Sequence, residues 1–212
     1  MNERRYKDLE VKIVGIPGSL RTGGYSKLAL KKALQGAEEL DAKTSILDLI
    51  DYHLPFCSGT KGDVQEYAGV QSLRSQVQEA HGILLSTPEY HGSFSGVLKN
   101  ALDLMGFNEF EGKMMGLIGV SGGSLGAVNA LNSLREIGRA LHAWVIPRQV
   151  SIPNAYAAFD SSGNAKDAEL EERLLEVGRQ LTRFAYLHTS ERTKEFVEIW
   201  EEAQPNPGGS DR

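Results

Sequence analysis

The sequence predicts an α/β fold, a five-stranded parallel sheet with helices on both faces, and three observations predict it. Short β-branched runs alternate with longer amphipathic runs five times along the chain. Parallel strands need crossover connections, and a helix is the economical crossover, so this alternation favours a parallel sheet between two helical layers. The 212 residues, 41% hydrophobic and 24% charged, suffice for one packed domain and are few for two.

The elements follow in order. Residues 11–16 (V-K-I-V-G-I) make the first strand, and residues 26–40 the helix behind it. Residues 44–49 make the second strand and residues 64–79 the second helix. The third strand covers residues 82–86, the fourth 114–120 and the fifth 143–152, each followed by a helical pattern, the last running over about 166–187. Beyond it, T-K-E-F-V-E-I-W-E-E sets Phe196, Ile199 and Trp200 on one face of a further amphipathic helix. Residues 204–210 have nothing to bury. The expected organisation is one domain over 1–190, a C-terminal helix over 191–203 and a flexible tail over 204–212.

Charge and composition exclude several partners. The net charge of −5 is mild, and Lys and Arg are scattered, so no nucleic-acid surface is expected. No apolar stretch approaches the roughly 20 residues that cross a bilayer, and the polar start M-N-E-R-R leads into no hydrophobic signal region. The expectation is a cytoplasmic protein with no membrane partner. The single cysteine, Cys57, can form no internal disulfide and lacks a second thiol, so electron chemistry would need a borrowed cofactor.

In open sheets of this kind, ligands sit beyond the carboxyl ends of the strands where the strand order reverses. The loops after the first, third and fourth strands are therefore candidates. The first, G-I-P-G-S-L-R-T-G-G-Y-S (residues 15–26), offers backbone N–H groups, a helix dipole and Arg21 to an anion such as phosphate. It carries neither G-x-G-x-x-G nor the Gly-Lys-Ser/Thr of a P-loop, and its plainer reading is a glycine turn with Ser26 as helix cap. The second, S-T-P-E-Y-H-G-S-F-S-G-V-L-K-N-A-L-D (residues 86–103), reads as strand, loop and helix suited to a flat polar ligand. Pro88 stiffens the loop, Gly92 lets the backbone come close and Ser93 can cap the next helix. The third, G-V-S-G-G-S-L-G (residues 119–126), matches the G-x-S-x-G nucleophile elbow of hydrolases, with Asp160 or Asp167 and His188 as later triad candidates. Alternatively, Gly122 and Gly123 expose N–H groups to a polar ring edge.

Together these loops resemble the NADPH-dependent FMN reductases of the flavodoxin-like fold, a family that includes quinone, azo-dye and chromate reductases. The resemblance rests on Gly18-Ser19-Leu20-Arg21, on Pro88-Glu89-Tyr90-His91-Gly92-Ser93 with V-L-K-N-A-L-D after it, and on Ser121-Gly122-Gly123, in the family's order and spacing. Leu54-Pro55-Phe56 and Val145-Ile146-Pro147 extend it over residues 11–152. It implies a flavodoxin-like three-layer sandwich with strand order 2-1-3-4-5, bound FMN, and NADPH or NADH as hydride donor. It also implies that Ser19, Arg21 and Ser26 hold the phosphate, that Pro88, Glu89, Tyr90, His91, Gly92 and Ser93 pass along the isoalloxazine edge, and that Ser121, Gly122 and Gly123 approach from the other side. Position 24 is glycine where serine is frequent, and position 26 is serine where asparagine is frequent, leaving one hydroxyl fewer at the phosphate. His91 replaces the usual asparagine, which would make the flavin responsive to pH.

The implied activity is hydride transfer from NAD(P)H to FMN and on to a quinone, azo compound, chromate or free flavin by a ping-pong mechanism. Such chemistry needs no catalytic side chain and no metal, because hydride passes from nicotinamide C4 to flavin N5 while the protein stacks the rings and steadies charge near N1. Two alternatives stand beside it: a flavodoxin-type single-electron carrier, a class that tends to be strongly acidic, and a serine hydrolase using Ser121. Glu89 reads as a structural anchor or backbone acceptor rather than a base. Arg135 and Arg139 read as solvated charges or ligands of a dinucleotide phosphate. A homodimer or homotetramer is expected, with the helix after the third strand covering a partner's flavin through Leu98, Leu102, Leu104, Met105 and Phe107.

Overall fold

The computed structural model describes residues 10–60, 62 and 67–189. In chain order its elements are β1 (Lys12–Pro17), α1 (Tyr25–Glu38), β2 (Lys43–Ile46), a 3-10 turn (Leu49–Asp51), α2 (Ala68–Glu79), β3 (Gly82–Tyr90), β4 (Ser93–Phe94), α3 (Gly96–Asp103), α4 (Phe107–Phe110), β5 (Met114–Val120), α5 (Val128–Ala140), β6 (Trp144–Ile152), α6 (Ala155–Ala158) and α7 (Ala168–Thr189). The main strands are parallel in the order β2-β1-β3-β5-β6. This is the flavodoxin-like three-layer order expected above, with one correction. A sixth strand, β4, pairs antiparallel with the end of β3.

The sheet is buried on both faces, so its central strands carry unbroken apolar runs; all seven residues of β5 are buried. Alternate residues serve opposite cores. Ile13, Leu84 and Ile118 pack against α1 and α7, while Val14, Ile83, Leu85 and Leu117 pack against α2, α3 and α5. The α1–α7 contact is close enough to touch backbone to backbone. A Cβ on Gly36 would lie 2.0 Å from the Leu175 carbonyl oxygen, and one on Gly178 1.8 Å from that of Ala33.

Several expectations need correcting. The third strand does not stop at Ser86 but runs to Tyr90, and the expected open loop is a hairpin that turns at His91 and Gly92. His91 (φ 52°) and Gly92 (φ 78°) are both left-handed, the requirement of a tight two-residue hairpin turn. Ser93 therefore belongs to β4, and Ser95 caps α3 by accepting the Leu98 N–H at 3.2 Å. Ser26 does not cap α1; Gly24 occupies the N-cap position with no side chain to offer, and Ser26 is buried in the first turn. Asn-Gly is the preferred pair for such a hairpin turn, so H91N is expected to stabilise the fold by about 0.5 kcal/mol, a rise in Tm of about 1–2 °C by calorimetry. The helix expected over 64–79 is described from Ala68, and the expected tail segments 191–203 and 204–212 lie outside the described residues.

The edge strand β6 is irregular. Met115 pairs with Val145, but Leu117 pairs with Gln149, so β6 carries two extra residues around Pro147. Arg135 of α5 satisfies the carbonyls freed there, donating to Ile146 and Pro147 O at 3.0 Å and to Gln149 Oε1 at 2.7 Å. It is neither a solvated charge nor free to bind a dinucleotide.

Below α2, the buried carboxylate of Glu109 accepts from Arg74 Nε at 2.9 Å and from the Gly106 N–H at 2.7 Å. Half-buried Lys113 donates to the carbonyls of Val77 and Gln78 at the end of α2. Burial holds its ammonium down at about 8, against the opposing pull of Glu109. Since this folded value lies below the unfolded one, the unfolded chain binds more protons between about pH 8 and 10.5, and stability rises with pH across that window. The penalty is fully present below pH 8. Urea melts are expected to show wild type gaining on K113M from pH 8 to pH 10.

Candidate active site

The order of the sheet reverses between β1 and β3, and a cleft of about 540 Å³ opens there at the carboxyl ends of the strands. Its walls come from four segments. The β1–α1 loop and the start of α1 give Ser19, Arg21, Thr22, Gly23, Gly24, Tyr25 and Ser26; the end of β3 gives Pro88, Glu89 and Tyr90; the end of β5 and the loop after it give Val120, Ser121 and Gly122; the start of α6 gives Ala155 and Tyr156.

The β1–α1 loop is held from below. The Gly18 N–H donates to Ser86 O at 2.6 Å, and Ser95 Oγ donates to Gly18 O at 2.6 Å. A Cβ on Gly18 would lie 2.9 Å from Leu98 Cβ, so this approach requires glycine. Within the loop, the Arg21 N–H donates to Ser19 Oγ at 3.3 Å and the Gly24 N–H to Arg21 O at 3.1 Å. Helix α1 then starts on Gly24, with no side-chain cap and no acidic residue in its first turn, so its positive end stays uncompensated. Ser26 Oγ is buried without a partner, the one such side-chain atom among the described residues. Lys27 beside it pairs with Asp48 at the end of β2, fixing the helix start to the sheet.

The β5–α5 loop is pinned against β6. The Ser121 N–H donates to Ile152 O at 2.9 Å, the Ala155 N–H to Ser121 O at 2.9 Å and the Asn154 N–H to Gly123 O at 3.0 Å. Ser121 Oγ accepts the Gly123 N–H at 3.1 Å. Glu89 Oε2 accepts the Ala130 N–H of α5 at 2.9 Å, which makes this residue the backbone acceptor expected from sequence.

The hydrolase alternative fails on this geometry. Ser121 follows the C-terminal end of β5, whereas His188 stacks on Trp144 at the start of β6, and the two lie at opposite ends of strands about 20 Å long. Asp160 instead accepts the N–H groups of Ser162 and Asn164, and these backbone bonds hold its carboxyl below the usual range.

Of the residues expected at the site, Ser19, Arg21, Ser26, Pro88, Glu89, Tyr90, Ser121 and Gly122 converge on the cleft. His91, Gly92 and Ser93 stand in the neighbouring hairpin, and Gly123 turns toward Asn154; none of the four lines the cleft wall. His91, through which a pH response was expected, stands in the hairpin turn outside that wall. Tyr25 and Tyr156 were missed. Tyr25 stacks on Phe159 at 6.0 Å, tying α1 to the segment after β6, and Tyr156 is 64% exposed.

Comparison with known proteins agrees with this geometry. The family described as NADPH-dependent FMN reductase matches residues 11–157. The NADPH-dependent FMN reductase ArsH of Shigella flexneri is 32% identical over 182 residues, covering 84% of this chain and 69% of that protein. The FMN-dependent NADPH-azoreductase of Staphylococcus saprophyticus is 38% identical over 140 residues, covering 64% of this chain and 73% of that one. Among solved structures, the flavoenzyme NAD(P)H:(acceptor) oxidoreductase FerB of Paracoccus denitrificans superposes with a TM-score of 0.64 at 25% identity, covering 84% of this chain and 98% of that one. Motif order, strand order and sequence likeness converge: the chain belongs to the NADPH-dependent FMN reductase family, an oxidoreductase with FMN as cofactor and NAD(P)H as hydride donor.

Proposed function

We propose that the cleft holds FMN with its phosphate on the β1–α1 loop and its ring between the ends of β3 and β5. The enzyme then reduces a small acceptor, a quinone, azo compound, chromate or free flavin. The observation that carries this reading is Ser26: a buried hydroxyl without a partner, in the first turn of an uncapped helix, in the same cleft wall as Arg21. A phosphate answers all three, as acceptor for the hydroxyl and backbone N–H groups and as counter-charge for the guanidinium. The residues therefore fit the cofactor, with residues 1–190 acting as one FMN-binding domain.

When bound, FMN accepts hydride from the nicotinamide and passes the electrons on. Among the lining residues only Arg21 and Glu89 are charged, so the wall presents mostly backbone and hydroxyl groups to the ring. The Ser121 N–H is already given to Ile152 O, so the Gly122 backbone is the part of this loop that would offer an N–H dipole where negative charge develops. One open cleft serves donor and acceptor in turn, which gives ping-pong kinetics. Purified protein is expected to be yellow, to release FMN on heating, to bleach with NADPH without oxygen, and to give parallel double-reciprocal lines with a quinone. A colourless protein that neither takes up FMN nor oxidises NADPH would remove the reading.

Self-association is part of the proposal, on a different surface from the one expected. Leu98, Leu102, Leu104 and Met105 are buried in the subunit's own core, and of that set only Phe107 is exposed, stacked on His142. One exposed apolar patch lies beside the phosphate loop: Leu20 is 48% and Phe56 90% exposed, and both line a groove with Leu54 and Val97. A second copy covering this patch would make a homodimer or homotetramer. Light scattering is expected to show an oligomer that Phe56→Glu dissociates.

A further inference from the structure

Helix α5 begins directly after the loop that carries Ser121 and Gly122, and its N-cap, Ala127, has no side-chain acceptor to offer. Two other strands satisfy its first N–H groups. Ala127 N–H donates to Ser151 Oγ of β6 at 2.8 Å, and Ala130 N–H donates to Glu89 Oε2 of β3 at 2.9 Å. Gly126 turns with φ 73°, and a Cβ there would lie 2.3 Å from Ser151 Oγ, so the loop passes directly against this cap. Glu89 also lines the cleft between Pro88 and Tyr90. One carboxylate therefore ties the end of β3 to the first turn of α5, and the loop with Ser121 and Gly122 is suspended between that tie and the end of β5.

We infer that Glu89 is a positioning residue for the ring end of the cofactor: by capping α5 from across the sheet, it fixes the β3 and β5 loops at the spacing that grips the isoalloxazine ring. The inference rests on the FMN reading above. It separates from a direct role of the charge, because the cap needs an oxygen acceptor of the right length and not a carboxylate as such. It also separates from the phosphate end of the cleft, because riboflavin has the ring and lacks the phosphate.

The test is titration of the full chain with FMN and with riboflavin, followed by flavin fluorescence, in wild type, E89A, E89Q and E89D. E89A is expected to weaken both ligands by the same factor, about tenfold, the scale of a lost helix cap. E89Q keeps an acceptor at the same reach and is expected to stay within about threefold of wild type. E89D keeps the charge but falls one methylene short, so it is expected to behave as E89A; it reports in place of E89A should the alanine variant fail to fold. Wild-type affinity in E89A or E89D, damage by E89Q equal to that of E89A, or a loss confined to FMN would each overturn the inference. A wild-type protein that takes up neither ligand would instead refute the FMN reading itself.

Discussion

Gly178→Ala is expected to destabilise the protein by about 3 kcal/mol or more, although alanine is the better helix former. Two effects oppose each other. Replacing glycine inside a helix gains about 1 kcal/mol of helix propensity. Against this, the new Cβ would sit 1.8 Å from the Ala33 carbonyl oxygen of α1 and 2.8 Å from the Ala37 nitrogen. Those are backbone atoms, which no rotamer change can move aside, so α1 and α7 must separate and the apolar layer between them must open. Gly96→Ala, at the first residue of α3, is the comparison: no atom of the subunit lies within 4 Å of a Cβ there, and a change within about 0.5 kcal/mol is expected. Urea melts decide it, and equal midpoints for the two variants would show that the helices are not in backbone contact. Because α1 carries Ser26 and the uncapped N-terminus, FMN affinity should fall with stability in Gly178→Ala.

Arg21→Ala is expected to weaken FMN binding about tenfold, the lower end for a charge-assisted hydrogen bond, since the side chain is exposed. Riboflavin affinity should be unchanged. Arg21→Lys should recover only part of the loss, because a point charge does not reproduce the planar fork of guanidinium on a phosphate. Rising salt should narrow the gap between Arg21→Ala and wild type, as screening predicts for an exposed pair. Equal loss of FMN and riboflavin would place the phosphate elsewhere.

Much of the architecture was legible in the chain. The five main strands and their helices follow from alternating apolar patterns, because each pattern reports burial and burial is what the sheet imposes. The loops after β1, β3 and β5 were legible as a site because glycines and hydroxyls cluster there without apolar periodicity. What was hidden is long-range. Leu98, Leu102 and Met105 declare an apolar face, but periodicity does not say whether the subunit's own core or another copy covers it. The cap from Glu89 to Ala130 joins residues 41 apart, and only the folded sheet brings them together. Other features are local and legible. His91-Gly92 between β-prone residues is a hairpin signature, and Pro147 inside an apolar strand marks an edge and a bulge. The segment after β6 supplies Tyr156 to the cleft because four strand ends on that side contribute to it, those of β1, β3, β5 and β6, and not only three.

The kink that Pro147 and Arg135 build into β6 bears on how the protein behaves when crowded. A straight, flat border strand is a template on which like chains can stack into fibrils. Here the ladder is broken by two extra residues, and two carbonyls of the kink, those of Ile146 and Pro147, are occupied by a guanidinium. A broken ladder is a poorer template for strand addition, and Arg135, by holding the kink, keeps that border irregular.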